Sequence, residues 1–203
     1  MKMKMSLALV IMAALAVCAP LQASAEIGKS LYVVAKAGAG FPSDFDTDFV
    51  GELGIGWDFS PAGSTLLALE LTVGYNSFST DASLAGTPIS IDNDAYPIGL
   101  TLKTGRRVNK DFTYYGGAGL DIIPVSIDAS GSSPGQTVST STSDTVFGAH
   151  LLVGATYDLT SNIFIGAEAK YLWSNTAKIS YGWERLELDA SCFSVMGMIG
   201  FRF

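Results

Sequence analysis

Along Phe49 to Phe59 the side chains sort by parity. Phe49, Gly51, Leu53, Ile55, Trp57 and Phe59 fall on one side, and Val50, Glu52, Gly54, Gly56 and Asp58 on the other. An extended chain turns successive side chains to opposite faces, so period-two sorting predicts a β-strand with one apolar and one polar face. Similar sorting recurs in eight segments, roughly Leu31–Phe41, Phe49–Phe59, Leu67–Tyr75, Tyr96–Arg106, Phe112–Ile123, Val146–Leu159, Ile163–Trp173 and Leu188–Phe203. Turn residues separate them. In the closing stretch, Phe193, Val195, Gly197, Ile199, Phe201 and Phe203 oppose Cys192, Ser194, Met196, Met198, Gly200 and Arg202. An even number of antiparallel strands closes without leaving an edge. The expected fold class is therefore all-β, an eight-stranded antiparallel up-and-down barrel.

The apolar face is the one that should meet lipid. After residue 25 no window approaches the roughly 18 uninterrupted apolar residues of a spanning helix, yet mean hydropathy is positive at +0.34. A transmembrane barrel reconciles the two, because alternation dilutes its apolar residues. Eleven residues at about 3.3 Å each, tilted near 40°, cross roughly 27 Å of bilayer. Mid-strand residues then sit near the midplane. Were Lys36, Glu70, Glu168 and Lys170 turned outward, each lysine there would cost about 2–4 kcal/mol, and each acid less. Turned inward, they pair. A soluble eight-stranded barrel is the alternative, but its water-facing side would be the set carrying Gly54, Gly56, Gly74, Gly99, Gly117, Gly119, Gly148, Gly154 and Gly166. Aromatics on the apolar face also gather towards the strand ends, with Trp57, Phe59, Tyr114, Tyr157, Phe201 and Phe203 at one end. Tyr75, Tyr96, Phe147, Tyr171 and Trp173 lie at the other, and two such belts mark the two interfaces of a bilayer.

Residues 1–25 have the parts of a secretory signal: Lys2 and Lys4, an apolar run from Leu7 to Val17, and the small-residue site Ala23-Ser24-Ala25. Cleavage before Glu26 would leave one barrel domain, residues 26–203. The apolar run is too short for a membrane anchor, and the bulky Val17 before Cys18 disfavours a lipoprotein signal. Without the signal, ten Lys and Arg face nineteen Asp and Glu, a net charge of −9. That balance excludes nucleic acid as a partner. Cys192 would remain alone, so no internal disulfide is expected, and a buried structural thiol is the simpler reading.

Connections alternate in length. Short ones fall at Ser60–Ser64, Arg107–Asp111 and Thr160–Asn162, and long ones at Ser79–Asp94, Val125–Asp144 and Ser174–Glu187, with Pro42–Asp48 the shortest on the long side. Short periplasmic turns and longer outer loops are the expected arrangement of an outer-membrane barrel. The Ser/Thr/Gly-rich stretch Ser126–Asp144 reads as a mobile loop.

A tight first hairpin brings Lys36 near Glu52, with Glu70 one strand further on. His150, Glu168 and Lys170 come from the opposite wall, with Lys103 and Asp121 between. This predicts a lumen charge network. It either gates a narrow pore or fills a barrel whose interior is just wide enough for side chains. Catalysis is not expected, because an acyl-transfer site needs a nucleophilic serine beside the histidine, and the inward neighbours of His150 on its own strand include none. No cofactor is indicated. Asp44, Asp46 and Asp48 have the opening spacing of an EF-hand, but Phe49 and Ile55 stand where glycine and glutamate are required. Weak divalent binding among Asp81, Asp92, Asp94, Asp144 and Glu184 is the remaining metal reading, and a solvated loop face is the simpler one.

Tyr96-Pro97-Ile98-Gly99-Leu100, Tyr114-Tyr115-Gly116-Gly117-Ala118-Gly119, the runs Phe147–Asp158 and Asn162–Tyr171, and the closing Gly197–Phe203 together resemble eight-stranded outer-membrane barrels of the OmpA, OmpX and OmpW type. The second half is most similar to OmpW-like proteins, with Trp173 leading into a loop and Leu186-Glu187-Leu188-Asp189 opening the last strand; Ala190-Ser191 departs from the Pro-Trp favoured there. The resemblance implies export to the cell outer membrane, contact with its lipids, and recognition by the barrel-assembly machinery through Phe201 and Phe203. It also implies a non-enzymatic role, as a narrow channel or binding site for small hydrophobic molecules. The competing role is a structural or adhesion barrel with a closed lumen, working through its outer loops. No peptidoglycan-binding domain of OmpA type is expected.

Overall fold

The computed structural model describes residues 30–42, 47–60, 64–84, 87–133, 136–175, 177–181, 184–188 and 191–203. The expected signal at residues 1–25 and the positions Asp44 and Asp46 lie outside them. The elements are β1 (Ser30–Pro42), β2 (Asp48–Asp58), β3 (Thr65–Leu84), β4 (Thr87–Ala95), β5 (Ile98–Arg107), β6 (Phe112–Ser133), β7 (Gln136–Asp158), β8 (Ile163–Ser174), β9 (Ala177–Tyr181), β10 (Glu184–Leu188) and β11 (Cys192–Arg202). Strands β1, β2, β3, β5, β6, β7, β8 and β11 pair antiparallel in that order. The ring closes between β11 and β1, from Tyr32↔Arg202 to Pro42↔Cys192. This is the eight-stranded barrel that the alternation predicts.

Two expectations about connections are corrected. Ser79–Asp94 and Val125–Asp144 are not open loops. The first folds into the β3–β4 hairpin, and the second into a β6–β7 hairpin paired as far as Ser133↔Gln136. Outside a barrel nothing requires one apolar face, so the strands run on without the alternation that announces them. Part of Ser174–Glu187 likewise forms the β9–β10 hairpin, which takes Leu188, so the last strand begins at Cys192.

Strand β4 continues β5 in unbroken register. Asn76↔Ala95 follows Val73↔Ile98 on one side, and Ala95↔Val125 follows Ile98↔Ile122 on the other. What separates them is chemistry. Gly74 N–H donates to Pro97 O at 2.7 Å and Tyr96 N–H to Pro124 O at 3.0 Å, but neither proline has an N–H with which to return the bond. Above that level β3, β4, β6 and β7 continue as a four-stranded sheet past the ends of the other barrel strands.

The two faces sort as predicted. Leu120 is 70% exposed on the outside, with Leu71, Leu100, Leu151, Val153, Val195 and Ile199 also outward. Outward aromatics pair at both ends: Trp57 with Phe59 at 5.6 Å and Phe201 with Phe203 at 5.2 Å at the turn end, and Tyr75 with Tyr96 at 5.5 Å and Tyr171 with Trp173 at 4.6 Å at the hairpin end. The interior is layered. A cluster including Tyr32, Val34, Tyr115, Phe164 and Met198 fills the turn end. Ala95, Ile123, Val125, Val146 and Leu172 fill the hairpin end, beside Val50, Cys192 and Met196. Between them lies a layer of charge.

Candidate functional site: a buried charge layer

Parity delivers each charged residue to the lumen, and register sets its height. Lys36 is the direct cross-strand partner of Glu52, as the tight first hairpin predicts. Contacts across the bore could not be read from nearest-neighbour pairing. Lys36 Nζ lies 2.7 Å from Glu168 Oε1 and 2.8 Å from Glu70 Oε1, against 3.5 Å from Glu52 Oε2. Lys103 Nζ bridges the same two acids, at 2.8 Å from Glu70 Oε2 and 3.1 Å from Glu168 Oε2. Lys170 Nζ donates to Glu52 Oε1 at 2.5 Å. All seven predicted residues, Lys36, Glu52, Glu70, Lys103, His150, Glu168 and Lys170, are buried, and Asp121 joins them.

Sequence reasoning missed the neutral members. Tyr32 donates its hydroxyl to Glu70 Oε2 at 2.8 Å, and Tyr115 donates to Glu168 Oε2 at 3.0 Å. Lys103 Nζ sits 4.8 Å from the centre of the Tyr115 ring, within cation–π range. Both tyrosines share the parity of the charged residues on their strands, which was the available signal. Glu70 and Glu168 thus each receive two ammonium groups and a phenol. Removing several ions from water costs several kcal/mol for each, and only such dense pairing offsets it.

His150 has an arrangement that its own strand did not reveal. Its Nδ1 bonds Asp121 Oδ2, and its Nε2 lies 2.9 Å from Thr101 Oγ1 on β5. Hydroxyl, imidazole and carboxylate in this order match the roles of a nucleophilic triad. Thr101 supplies the hydroxyl that was sought as a serine. Thr101, His150 and Asp121 are each 2% exposed. Gly119 makes room for the imidazole, since a Cβ there would stand 2.3 Å from Leu100 O and 2.5 Å from His150 Cε1.

At the turn end a cavity of about 40 Å³ is lined by Tyr32, Asp58, Lys103, Arg107, Tyr115 and Arg202, among others. That is room for a few water molecules. Arg107 Nη2 pairs with Asp58 Oδ2 and Arg202 Nη1 with Asp158 Oδ1, both at 2.5 Å. Glu70 and Lys103 of the charge layer also line the cavity. Beyond the charge layer, the hairpin-end clusters are packed to between 1 and 6% exposure.

The other predicted positions fall elsewhere. Phe201 and Phe203 are outward on the turn end, and Phe203 N–H donates to Leu31 O at 2.9 Å. Cys192 is buried at the opposite end. Of the acids considered for divalent binding, Asp94 accepts from Tyr75 OH at 2.9 Å and Asp144 is exposed; the side chains of Asp81, Asp92 and Glu184 lie outside those described. Among the described residues, no group of three His, Cys, Asp or Glu side chains could hold a metal ion.

Solved structures with this fold include a major outer membrane protein from Thermus thermophilus, 14% identical with a TM-score of 0.64, the match covering 87% of this chain and 100% of that one. The outer membrane protein OprG from Pseudomonas aeruginosa is 16% identical with a TM-score of 0.61, over 88% and 97%. The outer membrane protease OmpT from Escherichia coli is 9% identical with a TM-score of 0.52, over 86% and 95%. At such identities the likeness is one of fold, and the protease lends no activity to this chain. No curated protein matches the sequence. A family model for the outer membrane protein β-barrel domain matches residues 9–202. That match spans nearly the whole chain and agrees with its closed barrel, and the chain belongs to this family.

Proposed function

We propose that this chain is a closed-lumen outer-membrane barrel that works at the cell surface, binding a partner through the sheet formed by its long hairpins, and that it is not an enzyme. The observation that carries this reading is the contrast between the two ends. The bore is blocked by the Lys36–Glu70–Glu168–Lys103 layer and by apolar packing beyond it, while β3, β4, β6 and β7 run on past the other strands. In this reading lipid covers the outward apolar face, the hairpin end faces the exterior, and both termini face the periplasm. The chain reaches the membrane through the signal at residues 1–25, and Phe201 and Phe203 present its last strand to the barrel-assembly machinery. N-terminal sequencing of the mature protein tests the first of these, with Glu26 as the expected start.

The role itself is tested by displaying the intact chain, or one lacking residues 77–94 and 126–144, on otherwise non-adherent cells over protein-coated surfaces. Attachment that disappears with the hairpins supports the reading, and attachment unchanged by their removal refutes it.

One observation favours a second reading, the binding of small hydrophobic molecules. The hairpin-end lumen is lined by Ala95, Ile123, Val125, Val146 and Leu172, an apolar lining of the kind such a ligand needs. Passage would also need a lateral opening; among the described residues the ladders at that level are interrupted at Tyr96–Pro97, where single bonds from Gly74 N–H to Pro97 O and from Tyr96 N–H to Pro124 O bridge the strands.

A further inference from the structure

Where the eight strands form the barrel, every described outward position but one is uncharged. The exception is Arg106, the last outward residue of β5. Parity puts it on the face of Ile98, Leu100, Leu102 and Thr104, and its side chain is exposed. Register sets it beside Tyr114 on β6 and Thr65 on β3. Tyr114, 48% exposed, belongs to the aromatic belt of the turn end, so the guanidinium stands where a bilayer passes from hydrocarbon to headgroups. Among the described residues no carboxylate pairs with it. Asp58 takes Arg107 and Asp158 takes Arg202. That leaves the exposed Lys110, at the tip of the same hairpin, and Asp111 as the other unpaired ionic side chains described at that end.

A shallow groove leads from Arg106 towards the middle of the wall. Its floor is Gly116 and Ala118, which follow Tyr114 outward along β6. Thr104 and Leu102 of β5 flank them on one side, and Val153 and Leu151 of β7 on the other. Leu102, Leu151 and Val153 are all exposed and stand above that floor. A Cβ on Gly116 would meet nothing closer than Leu152 O at 3.6 Å. The chain's own packing therefore does not require glycine there, and the space over it is open to a ligand.

A phospholipid fits both parts. A guanidinium meets a phosphate with two parallel N–H bonds, the Tyr114 hydroxyl can donate a third, and an acyl chain lies along Gly116 and Ala118. Charge selects the headgroup. Arg106 and Lys110 against Asp111 make this spot positive in a chain whose Asp and Glu far outnumber its Lys and Arg, which favours a headgroup without an ammonium of its own. We propose that Arg106, Tyr114 and the Gly116–Ala118 groove bind an anionic phospholipid of the phosphatidylglycerol class. The proposal rests on the reading above in which lipid covers the outward face and the turn end faces the periplasm.

Native mass spectrometry of the full mature chain released from detergent tests it, with phosphatidylglycerol and phosphatidylcholine of identical acyl chains added in equal amounts. The expected result is retention of phosphatidylglycerol about fivefold over phosphatidylcholine. R106Q should remove most of that preference, and R106K should keep only part of it, because a point charge attracts without forming the paired bonds. G116L fills the groove and should weaken retention of both lipids. Equal retention of the two lipids by the parent chain, an unchanged preference in R106Q, or undiminished retention in G116L overturns the proposal. If R106Q lacks the gel shift of a folded barrel, an unchanged preference in R106K overturns it instead. Retention of lipid A in place of phosphatidylglycerol also overturns it, and sets the turn end outward. Should the chain hold both lipids equally yet need detergent to stay dissolved, the lipid site falls and the membrane reading stands. A chain that stays dissolved without detergent removes that reading itself.

Discussion

Lys36 shows what the charge layer demands of single residues. Its ammonium serves Glu168, Glu70 and Glu52 together, so Lys36→Met strands acids rather than deleting one pair. We expect a loss of about 3–5 kcal/mol in urea unfolding from detergent. Adding Glu168→Gln should recover part of it, with a coupling of about 0.5–3 kcal/mol because the two groups touch. Single variants within about 0.5 kcal/mol of the parent would mean that the layer is not paired as described. His150→Leu should cost about 1–3 kcal/mol by leaving Asp121 Oδ2 without its donor. The intact chain and Thr101→Val should both hydrolyse esters no faster than buffer, and ester turnover lost in Thr101→Val would restore the triad as a reaction centre. At this scale the sequence was largely legible. Strand parity alone sends all seven charged residues inward, and the first hairpin pairs Lys36 with Glu52. It could not show that Lys36 lies nearer to Glu168, because β11 separates their strands and only closure of the ring sets who meets whom across the bore.

For the elements, the close approaches at the closing seam matter most. A Cβ on Gly38 would stand 1.9 Å from Val195 O, a backbone atom on the strand that closes the ring. Gly38→Val should therefore abolish the heat-dependent gel shift of a closed barrel. Gly197→Ala, whose nearest neighbour across the same seam is 4.0 Å away, should keep it. Equal behaviour of the two would remove the seam as the sensitive element. Replacing residues 77–94 with a short turn should preserve the shift while lowering strand content by circular dichroism, because the barrel part of β3 keeps its pairing with β2 and β5. The hairpins are where sequence reading fell short. Alternation marks a strand whose two faces meet different surroundings, and β6 beyond Val125 has left the barrel. Backbone pairing with β7 continues there, and the Ser/Thr-rich composition of Ser126–Asp144 does not forbid that.

The whole molecule divides its work between a wall, a plug and a projecting sheet. Apolar side chains cover the wall, and paired ions fill the middle of the bore between apolar clusters. In the proposed reading, the plug turns function away from transport and towards the exterior. Planar-bilayer recording of the purified mature chain tests it most directly. The account predicts no steps above baseline at any applied voltage the membrane survives, and none on adding small hydrophobic solutes. Steady unitary conductance from the intact chain would contradict it.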